Sequence, residues 1–140
     1  MCIRDSYEGT TQLQVVAAIR HVMTGTYDQL VEEYAKMPVA DDLKPQLAIV
    51  EGLFAKYKEA VAKVHEINEP AYTDFMARHL VEMAGDVVMS YLLLTDATRY
   101  ASESMARSAK VYVNLAQANV AKNLAVVNAV SPADLPLYKA

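Results

Sequence analysis

The apolar residues between positions 43 and 64 follow a heptad spacing, and this pattern constrains the fold more than any other feature of the sequence. They recur at alternating intervals of four and three residues, at Leu43, Leu47, Val50, Phe54, Tyr57, Val61 and Val64. Such spacing places the side chains on one stripe of an α-helix and is typical of helices that pack side by side at a shallow angle. We therefore expect a long helix here, capped by Asp41 or Asp42, with a neighbouring helix along its stripe.

Four further segments carry apolar residues at helical spacing. They are a lead-in helix from Thr10 or Thr11 to Met23, a short helix over 27–36, a long helix from Ala71 to about Glu103, and a last helix that begins at Ser102 or Ser104. The helix from Ala71 is apolar on nearly every side, which predicts a central position. In the last helix the residues predicted to face inward are Val113, Ala116, Val120, Leu124 and Val127. The predicted fold class is all-α: a short lead-in helix followed by an antiparallel helical bundle, with a loose tail over 131–140.

Composition and charge exclude several classes of function. The formal net charge is −4 and Lys and Arg are not clustered, so we expect no binding to nucleic acid or to an anionic membrane surface. Uncharged stretches such as 111–121 are shorter than the roughly 20 residues of a membrane-spanning helix. No secretory signal precedes Tyr7, so the protein is expected to be cytoplasmic. Cys2 is the single cysteine, which excludes an intramolecular disulfide.

The first six residues look foreign to the protein. Met1–Asp5, MCIRD, is what ATG TGT ATA AGA GAC encodes, and that string resembles a transposase adaptor used in sequencing libraries. Ser6 agrees with the next adaptor bases. We therefore treat residues 1–6 as an adaptor remnant and expect the natural protein to begin upstream; the alternative is a natural start with an ordinary hexapeptide.

The segment Tyr7–Gln14, YEGTTQLQ, stands just before the predicted lead-in helix. Gly9 permits close approach of the backbone to a ligand, and free N–H groups at a helix start can bind an anion. Glu8, if desolvated by a bound substrate, could act as a general base. By the pattern alone, however, Glu8 is better explained as a surface residue at an ordinary helix start.

This octapeptide resembles the signature of acyl-CoA dehydrogenases, in which Tyr-Glu-Gly-Thr is followed by two variable residues, an aliphatic residue and Gln. Every position matches in type, although Leu13 stands where Ile is commoner. The resemblance implies an FAD-dependent enzyme that introduces α,β-unsaturation into an acyl-CoA thioester. It implies that Glu8 is the catalytic base, that its backbone N–H polarises the thioester carbonyl, and that Gly9 lies against the acyl-CoA. The residues that it implies for FAD contact are Thr10, Thr11 and Gln12.

The rest of the chain is more loosely similar to an extra helical domain found in a bacterial subset of these enzymes, the acetyl-CoA dehydrogenase-like and methylthiopropionyl-CoA dehydrogenase-like proteins. On this resemblance, residues 7–25 hold the catalytic loop and the last helix of the conserved C-terminal domain, and residues 26–130 form the appended bundle. The implied partners are an acyl-CoA substrate, an electron acceptor such as electron-transfer flavoprotein, and further copies of the chain in a homo-oligomer. The domains that supply most FAD and CoA contacts are absent, so the chain alone is not expected to bind FAD or to turn over substrate.

Other interpretations carry less weight. One is a stand-alone helical interaction or oligomerisation module without catalysis; another is the same scaffold in a nitroalkane-type or regulatory flavoprotein. His21, His65 and His79 lack the Glu-x-x-His spacing of helical di-iron sites, so no metal site is expected. His79 and Glu82 are interpreted as a local pair on one helix. The remaining candidates are interpreted as core filler (Met76, Met83 and Met89) and as a solvated face (Glu32 and Glu33).

Overall fold

Helices make up all the regular structure in residues 19–138, the part of the chain that the computed structural model describes. Residues 19–23 are helical, and this helical segment ends at Met23, where the sequence predicts the end of the lead-in helix. They are followed by α1 (Thr26–Ala35), α2 (Lys44–Ile67), α3 (Pro70–Arg99) and α4 (Glu103–Ala129), with short 3₁₀ helices at Asp41–Leu43 and Pro132–Tyr138. The predicted all-α bundle is confirmed.

Glycine, proline and serine lie at several helix boundaries. Gly25 separates the lead-in helix from α1 and has a φ of 79°, a left-handed conformation that glycine adopts without strain. Pro45 and Pro70 lie in the first turns of α2 and α3. Backbone N–H groups in a first turn have no acceptor within the helix, so the N–H that proline lacks costs no helical hydrogen bond. Ser102 caps α4, since its Oγ accepts a hydrogen bond from the Met105 N–H at 3.2 Å.

The start of α2 differs from the prediction. Neither Asp41 nor Asp42 caps the helix with its side chain; both lie in the preceding 3₁₀ helix, where the Leu43 N–H donates to the Ala40 carbonyl at 2.9 Å. Leu43 is buried, so this turn is held against the core by an apolar side chain. The predicted aspartate cap is therefore wrong, because packing of Leu43 determines the entry into the helix.

The end of α3 also differs from the prediction. The helix stops at Arg99, short of Glu103, and Ala101 adopts a positive φ of 48° in the turn to α4. The residues predicted as a loose tail are ordered as far as position 138, since Leu135 is buried and the 3₁₀ helix around it packs on α3. The loose-tail prediction is wrong for these residues, because one buried leucine gives the segment a place on the core.

Helix α3 is the centre of the bundle. It packs against α1, α2, α4 and the C-terminal 3₁₀ helix, which confirms the predicted central position. It runs antiparallel to α4, because contacts that ascend one helix descend the other. Met76 and Met83 are fully buried as predicted, whereas Met89 is 41% exposed and is not core filler. The buried residues of α3 are Tyr72, Met76, Ala77, Leu80, Met83, Ala84, Val87, Ser90, Tyr91, Leu94, Thr95 and Ala97.

The buried stripe of α2 is rotated relative to the predicted one. Its buried residues, counted from the preceding turn, are Leu43, Val50, Leu53, Tyr57, Ala60 and Val64. The other predicted stripe residues pack only half-buried against this core: Leu47, Phe54 and Val61. The reason is that α2 packs against both α3 and α4, so the middle of its apolar surface faces the space between two helices. No helix in the described residues is long and apolar enough to cross a membrane.

Candidate functional site

The residues that the sequence nominates for catalysis lie outside the described part of the chain, 19–138. They are Glu8 as the base, Gly9 at the substrate, and the FAD contacts Thr10, Thr11 and Gln12. The predicted adaptor remnant, residues 1–6, also lies outside it. The structure instead describes how the end of the lead-in helix joins the bundle, and which polar side chains the bundle brings together.

The end of the lead-in helix is packed into the bundle. Val22 is 1% exposed and belongs to the central apolar cluster, and Ile19 and Met23 pack half-buried against that cluster. From the last turn of α2, the Nε2 atom of His65 lies 2.9 Å from the Met23 carbonyl oxygen. Because a carbonyl oxygen can only accept, Nε2 is the donor in this contact. The junction therefore combines a buried apolar side chain with a hydrogen bond between distant segments.

The turn after the lead-in helix is closed by threonine side chains. Thr24 Oγ1 donates to the Arg20 carbonyl oxygen at 2.9 Å and lies 3.1 Å from the Oγ1 atom of Thr26. The rings of His21 and Tyr27 meet edge to face with their centroids 6.2 Å apart, a favourable aromatic arrangement. These contacts join the residues on the two sides of Gly25.

A second polar cluster lies between α3 and α4 around Asn123. Its amide is 1% exposed; Oδ1 accepts from His79 Nδ1 at 2.9 Å, and Nδ2 donates to Glu82 Oε2 at 3.4 Å. On the outer side, Arg78 Nε pairs with Glu82 Oε1 at 3.3 Å. His79 and Glu82, interpreted from the sequence as a local pair, are thus joined through a residue of the facing helix.

Asn123 was not identified from the sequence, although the sequence contains a signal for it. The buried residues of α4 are spaced by four and three, at Ala109, Val113, Ala116, Val120, Asn123 and Val127. The prediction placed Leu124 in this stripe, but Leu124 is only half-buried. Asn123 continues the four-and-three spacing of the buried residues, whereas Leu124 does not. A polar residue at such a position predicts a buried side chain that makes hydrogen bonds.

The same helix pair contains a second contact, from the Tyr112 hydroxyl to Asp86 Oδ1 at 3.2 Å. Burial raises the pKa of Asp86, which the hydrogen bond from Tyr112 partly opposes and the nearby charge of Glu82 reinforces. Burial, followed by the charge of Asp86, raises the pKa of Tyr112 to about 12. Tyr112 is therefore a neutral hydrogen-bond donor at physiological pH, and the pair joins α3 to α4.

A cavity of about 460 Å³ opens where the 40–43 segment meets the turn between α3 and α4. Its lining pairs two carboxylates, Asp42 and Glu103, with two cations, Arg107 and Lys110, all exposed. The hydroxyl of Thr98, also in the lining, is already engaged as donor and acceptor. The two carboxylates and two cations balance in formal charge. Among the described residues, no three His, Cys, Asp or Glu side chains are placed to hold a metal ion.

Comparison with known proteins decides the family. The sequence profile described as Acyl-CoA dehydrogenase C terminal matches residues 23–135. The chain belongs to this family. A similar solved structure is the crystal structure of the acyl-CoA dehydrogenase family protein from Porphyromonas gingivalis, with a TM-score of 0.75 and 35% sequence identity. The alignment covers 83% of this chain and 99% of that chain. No curated protein sequence matches the chain.

The family match and the octapeptide are separate observations. The acyl-CoA dehydrogenase C-terminal match starts at Met23 and covers α1–α4, whereas the octapeptide occupies residues 7–14. Each points to an acyl-CoA dehydrogenase without using the other's residues. The family predicted from the octapeptide is therefore confirmed by the bundle.

Proposed function

We propose that the chain is the C-terminal part of an FAD-dependent acyl-CoA dehydrogenase that introduces an α,β double bond into an acyl-CoA thioester. The supporting observation is the order of two features: a signature-like octapeptide at 7–14, followed by an acyl-CoA dehydrogenase C-terminal domain at 23–135. A stand-alone helical module would not explain why both features belong to one enzyme family. The cytoplasmic location and the homo-oligomer expected from the sequence stay predictions.

In this proposal Glu8 is the base of the reaction. Its carboxylate removes the proton from the carbon α to the thioester carbonyl, and negative charge develops on the carbonyl oxygen. The backbone N–H of Glu8 donates to that oxygen and stabilises the charge as it forms. Gly9 has no side chain, so the acyl-CoA can pass close to the backbone. FAD, when bound, supplies the acceptor for the hydride that leaves the β carbon.

Thr10, Thr11 and Gln12 are proposed to hold FAD. They supply two hydroxyls and one carboxamide, groups that both donate and accept hydrogen bonds. This donor set fits the polar edge of a flavin, which itself carries donors and acceptors. Their position directly after Glu8 and Gly9 brings the cofactor contacts beside the reacting carbons. An electron acceptor such as electron-transfer flavoprotein would then take the two electrons and return the enzyme to its starting state.

The test uses the full-length parent, obtained by extending the gene upstream of Tyr7. Acyl-CoA thioesters of graded length are added without oxygen, and loss of flavin absorbance is followed. The Glu8→Gln variant should retain FAD and reduce it roughly 10²–10⁴-fold more slowly, the usual contribution of a positioned base. The control is Glu32→Gln, which alters an exposed carboxylate of α1 and should behave as wild type.

Two results would contradict the proposal. A parent protein that purifies without FAD rejects the flavoenzyme assignment. A Glu8→Gln variant that is reduced at nearly the wild-type rate removes Glu8 from the role of base.

A further inference from the structure

We propose that the bundle holds residues 19–23, the described end of the predicted lead-in helix, in a fixed orientation that positions Glu8, and that His65 is a positioning residue in this contact. The inference rests on the proposed function, because it gives the bundle a role at the same catalytic site. It is carried by contacts between residues 19–23 and the bundle, and the structure describes both sides of these contacts.

The first contact is apolar. Val22 is buried in the same cluster as the centre of the bundle, and Ile19 and Met23 pack against that cluster. The last turn of the lead-in helix is therefore part of the core of the bundle. The helix cannot pivot relative to the bundle without exposing Val22 to water, which opposes movement.

The second contact is the hydrogen bond from His65 to the Met23 carbonyl oxygen at 2.9 Å. Carbonyl groups in the last turn of a helix lack partners within the helix, so a side-chain donor from another element fits there. His65 lies 42 residues away in sequence and reaches Met23 from the last turn of α2.

The orientation of this helix matters because of the leverage that it exerts. The sequence predicts one helix from Thr10 or Thr11 to Met23, with Glu8 just ahead of it; of this predicted helix the structure describes residues 19–23. An α-helix rises about 1.5 Å per residue, so a tilt of about 10° at one end of the predicted helix would move the other end, roughly 18 Å away, by about 3 Å. A misplacement of about 1 Å at a catalytic group can lower a rate about 100-fold. A small change in helix orientation on loss of the His65 hydrogen bond would therefore displace Glu8.

The first experiment tests the contact in the 140-residue chain. Under native conditions trypsin cleaves after Arg20, within the last turns of the lead-in helix, only when that segment opens. Loss of one hydrogen bond corresponds to about a five-fold increase in opening, so His65→Ala should be cleaved after Arg20 about five-fold faster. His65→Gln, whose amide can donate from a similar position, should restore the wild-type rate. Cleavage after Lys36, beyond α1, is the internal control and should not change.

The second experiment tests the positioning role in the full-length parent. His65→Ala should slow reduction of the flavin by acyl-CoA by roughly three- to ten-fold while FAD content stays at the wild-type level, and His65→Gln should recover the rate. The matched control is Lys63→Ala, on the same helix. The Nζ atom of Lys63 donates a hydrogen bond to Asn128 Oδ1 at 3.4 Å, and this contact does not involve residues 19–23. It should leave the rate unchanged.

The outcomes separate the inference from the proposed function. Unchanged cleavage after Arg20 in His65→Ala overturns the contact. Faster cleavage with a wild-type rate of flavin reduction overturns the positioning role. Failure of the proposed function has a different signature, since Glu8→Gln would then be reduced normally or the parent would contain no FAD.

Discussion

Tyr72 offers a direct test of how the end of α4 is held to the bundle. It lies near the start of α3 and is 0% exposed, and its hydroxyl is 3.0 Å from the Val127 carbonyl oxygen and 2.9 Å from that of Val130. The single hydroxyl hydrogen is thus shared between two carbonyls at the end of α4, where helical donors are lacking. The Tyr72→Phe substitution removes the hydroxyl and leaves both carbonyls without it.

The expected cost follows from this geometry. A hydrogen bond contributes about 0.5–1.5 kcal/mol net, and leaving a buried polar group without a partner costs about 1–3 kcal/mol. The ring of Phe retains the apolar packing, so no cavity term is added. We expect Tyr72→Phe to lower the free energy of unfolding by about 2 kcal/mol, which is a fall in Tm of roughly 5–10 °C for a domain of this size.

Tyr57 supplies a matched control. It is also 0% exposed, but its hydroxyl is buried without a hydrogen-bond partner among the residues that the structure describes. Tyr57→Phe removes a group that is desolvated without compensation, so it should leave the free energy of unfolding unchanged or raise it by up to about 1 kcal/mol. The two variants make the same chemical change at the same burial and differ in what the hydroxyl contacts.

The assay is urea unfolding of the 140-residue chain at 25 °C, followed by the circular dichroism of its helices. Both variants and the wild type should show the same dependence of free energy on urea concentration, so that midpoints can be compared directly. If Tyr57→Phe costs as much as Tyr72→Phe, the hydroxyl partners do not determine the outcome and the reasoning fails.

Two further predictions concern backbone conformation and charge. Gly25→Ala should lower the free energy of unfolding by about 1 kcal/mol because its φ of 79° strains an alanine, whereas Gly52→Ala, in open space on α2, should raise it by about 0.5–1 kcal/mol. Thermal unfolding of both variants checks this pair, and shifts in the same direction would contradict it. Burial raises the pKa of Asp86 above 3.8, so the folded state binds this proton more tightly and stability is lost as pH rises through the folded pKa. The Asp86→Asn variant keeps an acceptor for Tyr112 but has no carboxyl group to titrate, so its urea midpoint should not decrease as pH rises through the folded pKa of Asp86. A midpoint with the same pH dependence as the wild type would refute the prediction.

Features that depend on neighbouring residues were largely predictable. Gly25, Pro70 and Ser102 mark helix boundaries because a left-handed φ, a missing N–H and a side-chain acceptor each act within one turn of chain. The octapeptide containing Glu8 is likewise a local pattern, and it indicated the family that the match over residues 23–135 confirms. The assignment of Glu8 and its neighbours to catalysis and FAD contact stays a prediction.

Features that depend on distant residues were predicted less well. Met89 and Leu124 have apolar side chains at helical spacing, yet Met89 is exposed and Asn123 takes the buried position beside Leu124. Leu135 was assigned to a loose tail, although it packs on the core. In each case the sequence shows an apolar or polar side chain, and the position of a neighbouring helix decides whether that side chain is covered.

By itself, the sequence determined that the chain is helical, where most helices begin and end, and which enzyme family it resembles. Only the tertiary structure decided which side of α2 and α4 faces the core, that Asn123 joins His79 to Glu82, and that His65 reaches Met23. The physical reason is the range of the interactions. Backbone conformation and capping act over a few residues, whereas these side-chain contacts join residues that are 41 to 44 positions apart and exist only once the helices have packed.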